Sequence, residues 1–220
     1  MSRLVRRWLL TAVGRRQVLY DTIGVVLIWL VVLAAAPQGS ESPTEAVRGT
    51  VTRVISILED PALKDPAKLI PRRRMLEEVI AGRFDYAEMS KRALATYWTP
   101  LTETQRTEFV ELFKLFLSDR YAEKIEGYSG EQVLYLSERI EETYAEVRTE
   151  LRSDKTDIPM DYRLIFKEGR WHAYDIIADG VSLVKNYRSQ FQKIIRESSY
   201  QELVNKLRDR TLSGEKKVKP

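Results

Sequence analysis

A strand that must run almost directly into a helix constrains this chain most. The stretch Trp171–Phe191 reads WHAYDIIADGVSLVKNYRSQF. Tyr174, Ile176 and Ala178 lie two apart, so the spacing predicts one shared face of an extended segment. Asp179-Gly180 breaks it, because aspartate tolerates and glycine supplies the unusual φ of a tight turn. Leu183, Val184, Tyr187 and Phe191 then recur at helical spacing as one apolar stripe. Ser182 stands where a serine caps a helix. With so short a turn, strand face and helix stripe have to converge on the same apolar space.

The residues before it set the period of that strand. Val133 and Tyr135 begin a strand; Ala145, Val147, Thr149 and Leu151 alternate. Ser153–Asp157 is a polar turn. Ile158, Met160, Tyr162, Leu164 and Phe166 alternate again, and Glu168-Gly169 turns the chain into Arg170–Ala178. Consecutive strands joined by short turns pair antiparallel, and one apolar face of the sheet needs cover. The N-terminal helices and the helix after Ser182 are the cover at hand. The expected class is α+β: a curved antiparallel sheet of about four strands, with helices packed on its concave face in a cone-like form around an apolar cavity.

Those helices announce their ends. Ser42-Pro43-Thr44-Glu45 is a capping box with proline at N1, ahead of the stripe Val47, Val51, Val54, Ile55 and Leu58. Asp60-Pro61 ends that helix. Pro71 is expected to open a second, burying Met75, Leu76, Val79 and Ile80 and closing at Gly82. Asp85, with Glu88 three residues on, caps a third. Thr102-Glu103-Thr104-Gln105 opens the longest, about Glu103 to Glu126, closed by Gly127. Its stripe is bulky: Phe109, Leu112, Phe113, Phe116, Leu117, Tyr121 and Ile125. By periodicity alone such a stripe is core. A last helix runs Tyr200–Leu207.

Residues 1–36 carry five arginines and one aspartate, which accounts for the whole net charge of +4. The remainder has no overall cationic field for nucleic acid, and Arg72-Arg73-Arg74 reads as a solvated helix face. Ile23–Ala36 is an apolar run of fourteen residues behind an arginine-rich start. That is short for a membrane span of ~20 residues and suits a secretory leader. Pro37 after Ala34-Ala35-Ala36 and the pair Arg15-Arg16 leave open cleavage, retention as an anchor, and the twin-arginine route. The expected organisation is a signal peptide or anchor over 1–36, one domain over 42–210 and a disordered basic tail over 211–220.

Little in the chain carries covalent chemistry. With no cysteine, disulfides and thiol catalysis are excluded. The one histidine, His172, reads as structural or partly exposed. Glu141 and Glu142 point to opposite faces if extended, so they cannot act on one atom. Asp179 and Ser182 are explained by turn and cap roles, and Asp175, alternating with Tyr174 and Ile176, points away from the face those two line and reads as structural. No base, nucleophile and orienting group can be assembled; no catalytic residue, metal or cofactor is expected.

Two separated blocks resemble the MlaC / toluene-tolerance family of periplasmic phospholipid-binding proteins. Trp171–Phe191 is similar to its W-x-x-Y-D-x-x-x-[DE]-G-V-S core followed by an N-Y-R-x-x-F helix. Phe84-Asp85-Tyr86, Trp98 and Thr102–Tyr121, with Gln105-Arg106, Phe109, Phe113 and Phe116, form the second block. The resemblance covers roughly Ser42 to Leu207. It implies a non-enzymatic lipid carrier whose 42–210 domain holds phospholipid acyl chains, or a hopanoid, in an apolar cavity. It further implies a periplasmic location and a role in outer-membrane lipid asymmetry. The implied partners are an inner-membrane ABC transporter with an MCE-domain subunit and an outer-membrane lipoprotein/porin complex. Within the matching blocks, Phe109, Phe113, Phe116, Ile176, Val184 and Tyr187 are the expected cavity lining; alternation adds Val147, Leu164 and Phe166. An NTF2-like cone enzyme acting on a small hydrophobic substrate is the competing class.

Overall fold

Tight turns set the sheet. Glu168-Gly169 and Asp179-Gly180 both have φ positive at each residue, +52°/+77° and +49°/+74°, the geometry whose twist matches paired strands. The computed structural model describes residues 41–153 and 156–217. The leader segment 1–36 lies outside the described residues. Five strands, β1 (Gln132–Glu141), β2 (Tyr144–Arg152), β3 (Asp157–Lys167), β4 (Arg170–Ala178) and β5 (Val181–Ser182), form one sheet in chain order. Every neighbouring pair is antiparallel. The α+β class read from the sequence stands. The addition is β5: Asp179-Gly180 closes a hairpin, so Val181 and Ser182 pair back onto Ala178 and Ile177 before the helix starts.

Two residues have no Cα partner across the ladder, Leu136 in β1 and Tyr174 in β4. The second overturns an expectation. Arg163 pairs with Asp175 and Leu164 with Ala173, so Tyr174 is the extra residue of a bulge. Tyr174 therefore does not share a face with Ile176 and Ala178. It turns to the side of Tyr144, whose ring it meets edge-on at 6.0 Å.

The helices are α1 (Pro43–Glu59), α2 (Leu69–Ala81), α3 (Tyr86–Leu94), α4 (Glu103–Glu126), α5 (Leu183–Glu197) and α6 (Tyr200–Lys217). Ser42 caps α1 by accepting the Glu45 N–H at 3.2 Å, but Glu45 turns to Arg48 rather than closing the box. Asp85 caps α3 through the Glu88 N–H at 2.8 Å. Thr102 and Gln105 make a complete capping box on α4. Two ends differ from the sequence reading. α2 begins at Leu69, two residues before Pro71, without a side-chain cap. α6 continues past Leu207 to Lys217.

Packing falls into two clusters. Met89, Ala93 and Leu94 of α3, Phe109, Phe113, Phe116 and Leu117 of α4, and Val184, Tyr187 and Phe191 of α5 form the larger one, with Tyr174 and Leu203, Val204 and Leu207 of α6. Ala46 and Val47 of α1 form the smaller one with Ala145, Val147, Leu164 and Trp171.

Candidate functional site

Opposed residues of an antiparallel pair point to the same side of the sheet, so the register defines an apolar face. Ala145 faces Leu164, Val147 faces Tyr162, and Thr149 faces Met160 across β2 and β3. Across β3 and β4, Phe166 faces Trp171, Leu164 faces Ala173, Tyr162 faces Ile176 and Met160 faces Ala178. α1 lays Ala46, Val47 and Val51 on this face, with Tyr135, Tyr162 and Phe166 packed beside them. Thr149 is buried but satisfied, its hydroxyl donating to the Met160 carbonyl at 2.5 Å.

Around Tyr162 the face is less deeply buried. Tyr162, Phe166, Ile176, Met160 and Ala178 all keep some accessible surface, whereas Val147 and Leu164 beside them keep none. The Tyr162 hydroxyl donates to Met160 Sδ at 3.3 Å. Burial holds its phenol far above the usual tyrosine range, and the nearby Tyr135 adds to the shift. Part of the opposite face is charged. Arg148 pairs with Glu146 at 3.0 Å and Arg152 with Glu150 at 2.8 Å, and Arg163 lies 3.7 Å from Glu146.

The helical cluster has a different texture. Phe109 and Phe113 have no accessible surface. Phe113 meets Phe191 at 5.2 Å and Tyr187 at 5.5 Å between ring centroids, and Phe116 meets Tyr187 at 5.4 Å, all edge-on. Such contacts add ~0.5–1.5 kcal/mol each beyond area burial. Burial foremost, then the Tyr121 hydroxyl, pushes the Tyr187 phenol up.

β4 and α5 are locked by a buried carboxylate. Asp175 accepts the Val184 N–H at 3.0 Å on one oxygen and the Ser182 hydroxyl at 2.6 Å on the other. Ser182 Oγ in turn accepts the Lys185 N–H at 3.0 Å. The Arg163 guanidinium is 3.8 Å away. Both Asp175 oxygens are thus engaged in holding a helix start, which serves positioning rather than proton transfer. Among the described residues no group of histidine and acidic side chains is arranged to hold a metal ion.

The nine residues expected to line one cavity do not meet in one place. Phe109, Phe113, Phe116, Val184 and Tyr187 belong to the helical cluster. Val147 and Leu164 belong to the sheet cluster, with Phe166 packed against it. Ile176 lies on the same sheet face, opposite Tyr162. Tyr162 and Val51 were not singled out by the sequence reading. The alternation of β3 contained Tyr162, but alternation alone does not rank one member of a face above another.

Two clefts open away from these residues. One, of about 460 Å³ between α1 and α2, is bordered by Thr50, Arg53, Ile57, Val79, Arg83 and Arg170, among others. The other, about 500 Å³, lies by Glu59, Lys64, Arg72 and Tyr128.

Comparison with known proteins agrees with this geometry. A family model described as MlaC protein matches residues 48–209. The intermembrane phospholipid transport system binding protein MlaC of Haemophilus influenzae is 21% identical over 122 residues, 53% of this chain and 57% of the relative. The match thus spans little more than half the length of that curated relative. A solved structure of the phospholipid-binding protein from Ralstonia solanacearum, in complex with a phospholipid, superposes with a TM-score of 0.69 at 25% identity. It covers 77% of this chain and 96% of the other. Since the family model spans well over half its length, this chain belongs to the MlaC family.

Proposed function

We propose that this protein is a phospholipid carrier. It takes the acyl chains against the apolar sheet face and carries lipid across the periplasm, between an outer-membrane lipoprotein/porin complex and an inner-membrane ABC transporter with an MCE-domain subunit. The observation that carries the reading is Tyr162. Tyr162 stands opposite Val147 and Ile176 on the apolar face and is only half-buried, so it borders surface that an acyl chain would cover. The half-accessible neighbours Ile176 and Phe166 extend that border in apolar residues. Val147 and Leu164 form its floor. Phe109, Phe113, Phe116, Val184 and Tyr187 are the packed wall that fixes α4 and α5 beside it. The phospholipid held by the Ralstonia solanacearum protein supports the same cargo class. The leader read in 1–36 supports export, and no described helix is long and apolar enough to cross a membrane.

The physics asks for enclosure. A diacyl lipid with about thirty methylenes costs roughly 24 kcal/mol to expose to water, at ~0.8 kcal/mol per methylene. Mass spectrometry of an organic extract of the purified protein tests the reading and tells phospholipid from hopanoid. Ile176→Arg is expected to strip the lipid while thermal melting stays cooperative, because Ile176 is not in the packed core. A full lipid load in that variant, or none in the wild type, would overturn the reading.

A further inference from the structure

The cleft between α1 and α2 differs in kind from the apolar sheet face. Arg53 reaches it from α1, Arg83 from just beyond α2, and Arg170 from the start of β4, beside an apolar floor of Ile57 and Val79. The cleft is open to solvent and measures about 460 Å³. Arg83 is held in place: Nε donates to Thr50 Oγ1 at 2.9 Å, Nη1 to the Trp171 carbonyl at 2.8 Å, and Nη2 to Glu41 at 3.3 Å. Arg53 and Arg170 are exposed, and among the described residues neither pairs with an acid. Against three guanidinium groups the lining holds one carboxylate, Glu78, with Glu41 offsetting Arg83 from outside. His172, two residues along β4 from Arg170, senses part of this charge. Burial, then the Arg170 charge, with Arg83 and Lys167 adding to it and Asp85 opposing, pushes its imidazole below the usual value.

We infer that this cleft takes a phosphate group carried next to hydrocarbon, as at the headgroup end of a glycerophospholipid. Arg53 and Arg170 supply the planar donor forks that match phosphate oxygens. Arg83, already tied to Trp171 and Thr50, fixes the cleft's shape. Ile57 and Val79 receive the adjoining carbons. The lipid source rests on the carrier reading above; the anion site itself does not.

Isothermal titration of the full chain with three soluble probes separates these claims: dihexanoylphosphatidylglycerol, inorganic phosphate, and dihexanoylglycerol, which has no phosphate. The variant Arg53→Ala/Arg170→Ala removes two exposed side chains, and an unchanged melting temperature verifies its fold. It is expected to bind dihexanoylphosphatidylglycerol about tenfold more weakly or worse, as loss of a charge-assisted bond implies, with dihexanoylglycerol unaffected. Equal affinity of variant and wild type for dihexanoylphosphatidylglycerol overturns the cleft as an anion site. Inorganic phosphate binding as tightly as the lipid probe overturns the headgroup assignment in favour of a free ion. Absence of long-chain lipid from wild-type extracts, with the probe result intact, sinks the carrier reading alone.

Discussion

At the scale of single residues, Asp175 and Ser182 do the most with the fewest atoms. Ser182 was legible as a cap, because a hydroxyl directly before a helical stripe has one common use. Asp175 was not, because strict alternation says nothing about an inserted residue, and a bulge is set by hydrogen bonds across strands. Ser182→Ala removes both the acceptor for the Lys185 N–H and the donor to Asp175, and is expected to cost ~1–2 kcal/mol in urea unfolding. Asp175→Ala also leaves the Val184 N–H unpaired in a buried place, for ~2–3 kcal/mol. A reversed order of these two costs would contradict the geometry. The same scale explains why Phe113 is a poor probe of lipid binding. It has no accessible surface, so a charge there would unfold the protein before it emptied any site.

At the scale of elements, α3 is tied to the sheet as if it were a side strand. Phe84 bridges Ala173, the Asp85 N–H donates to the Ala173 carbonyl at 2.9 Å, and the Ala173 N–H donates to the Arg83 carbonyl at 2.9 Å. The Lys167 ammonium reaches the cap residue Asp85 at 2.7 Å. Burial alone would raise the Asp85 carboxyl, but the Lys167 hydrogen bond and the Glu88 N–H outweigh it and hold it below its usual value. A depressed carboxylate stabilises the fold above its unfolded pKa of about 3.9 and loses that contribution as pH falls through the folded value. Lys167 is half-exposed, so the contribution is ~1 kcal/mol or less. Asp85→Asn keeps the cap acceptor and removes the charge. Melting curves of wild type and variant should therefore differ most near pH 6 and converge toward pH 3; a constant gap would mean the charge plays no part. Element ends were readable where a characteristic residue type marks them, as at Thr102 and Gly127. They were missed where none does, as at Lys68.

At the scale of the whole molecule, one clasp spans from α2 to the far end of α4. Arg73 donates to both Glu126 oxygens at 2.8 and 3.0 Å, with Arg72 3.8 Å away. Glu126→Gln leaves two partly buried guanidinium groups short of a counter-charge, and is expected to lower stability by ~1–3 kcal/mol. A single cooperative melt in that variant would show that α2 unfolds with the helical cluster regardless; two transitions would show the clasp couples them. The sequence revealed a greasy strand face and a greasy helix stripe, and both are present. It did not reveal that they bury into separate clusters. Alternation says which side a residue faces, but which helix covers that side is decided by contacts such as Arg83 to Trp171, 88 positions apart.

The unpaired Tyr174 also makes the stretch around it a measuring stick. Trp171 and Asp175 are an even number of positions apart, which in an unbroken strand would aim both the same way. Here the indole packs beneath α1 while the carboxylate holds the start of α5. Adding one residue between them would leave every side chain chemically intact and still bring one of the two to the wrong side, whereas removing Tyr174 would restore plain alternation and keep them opposed. Tolerance to substitution and tolerance to added length are therefore separate properties of this segment, and the second should be nearly nil.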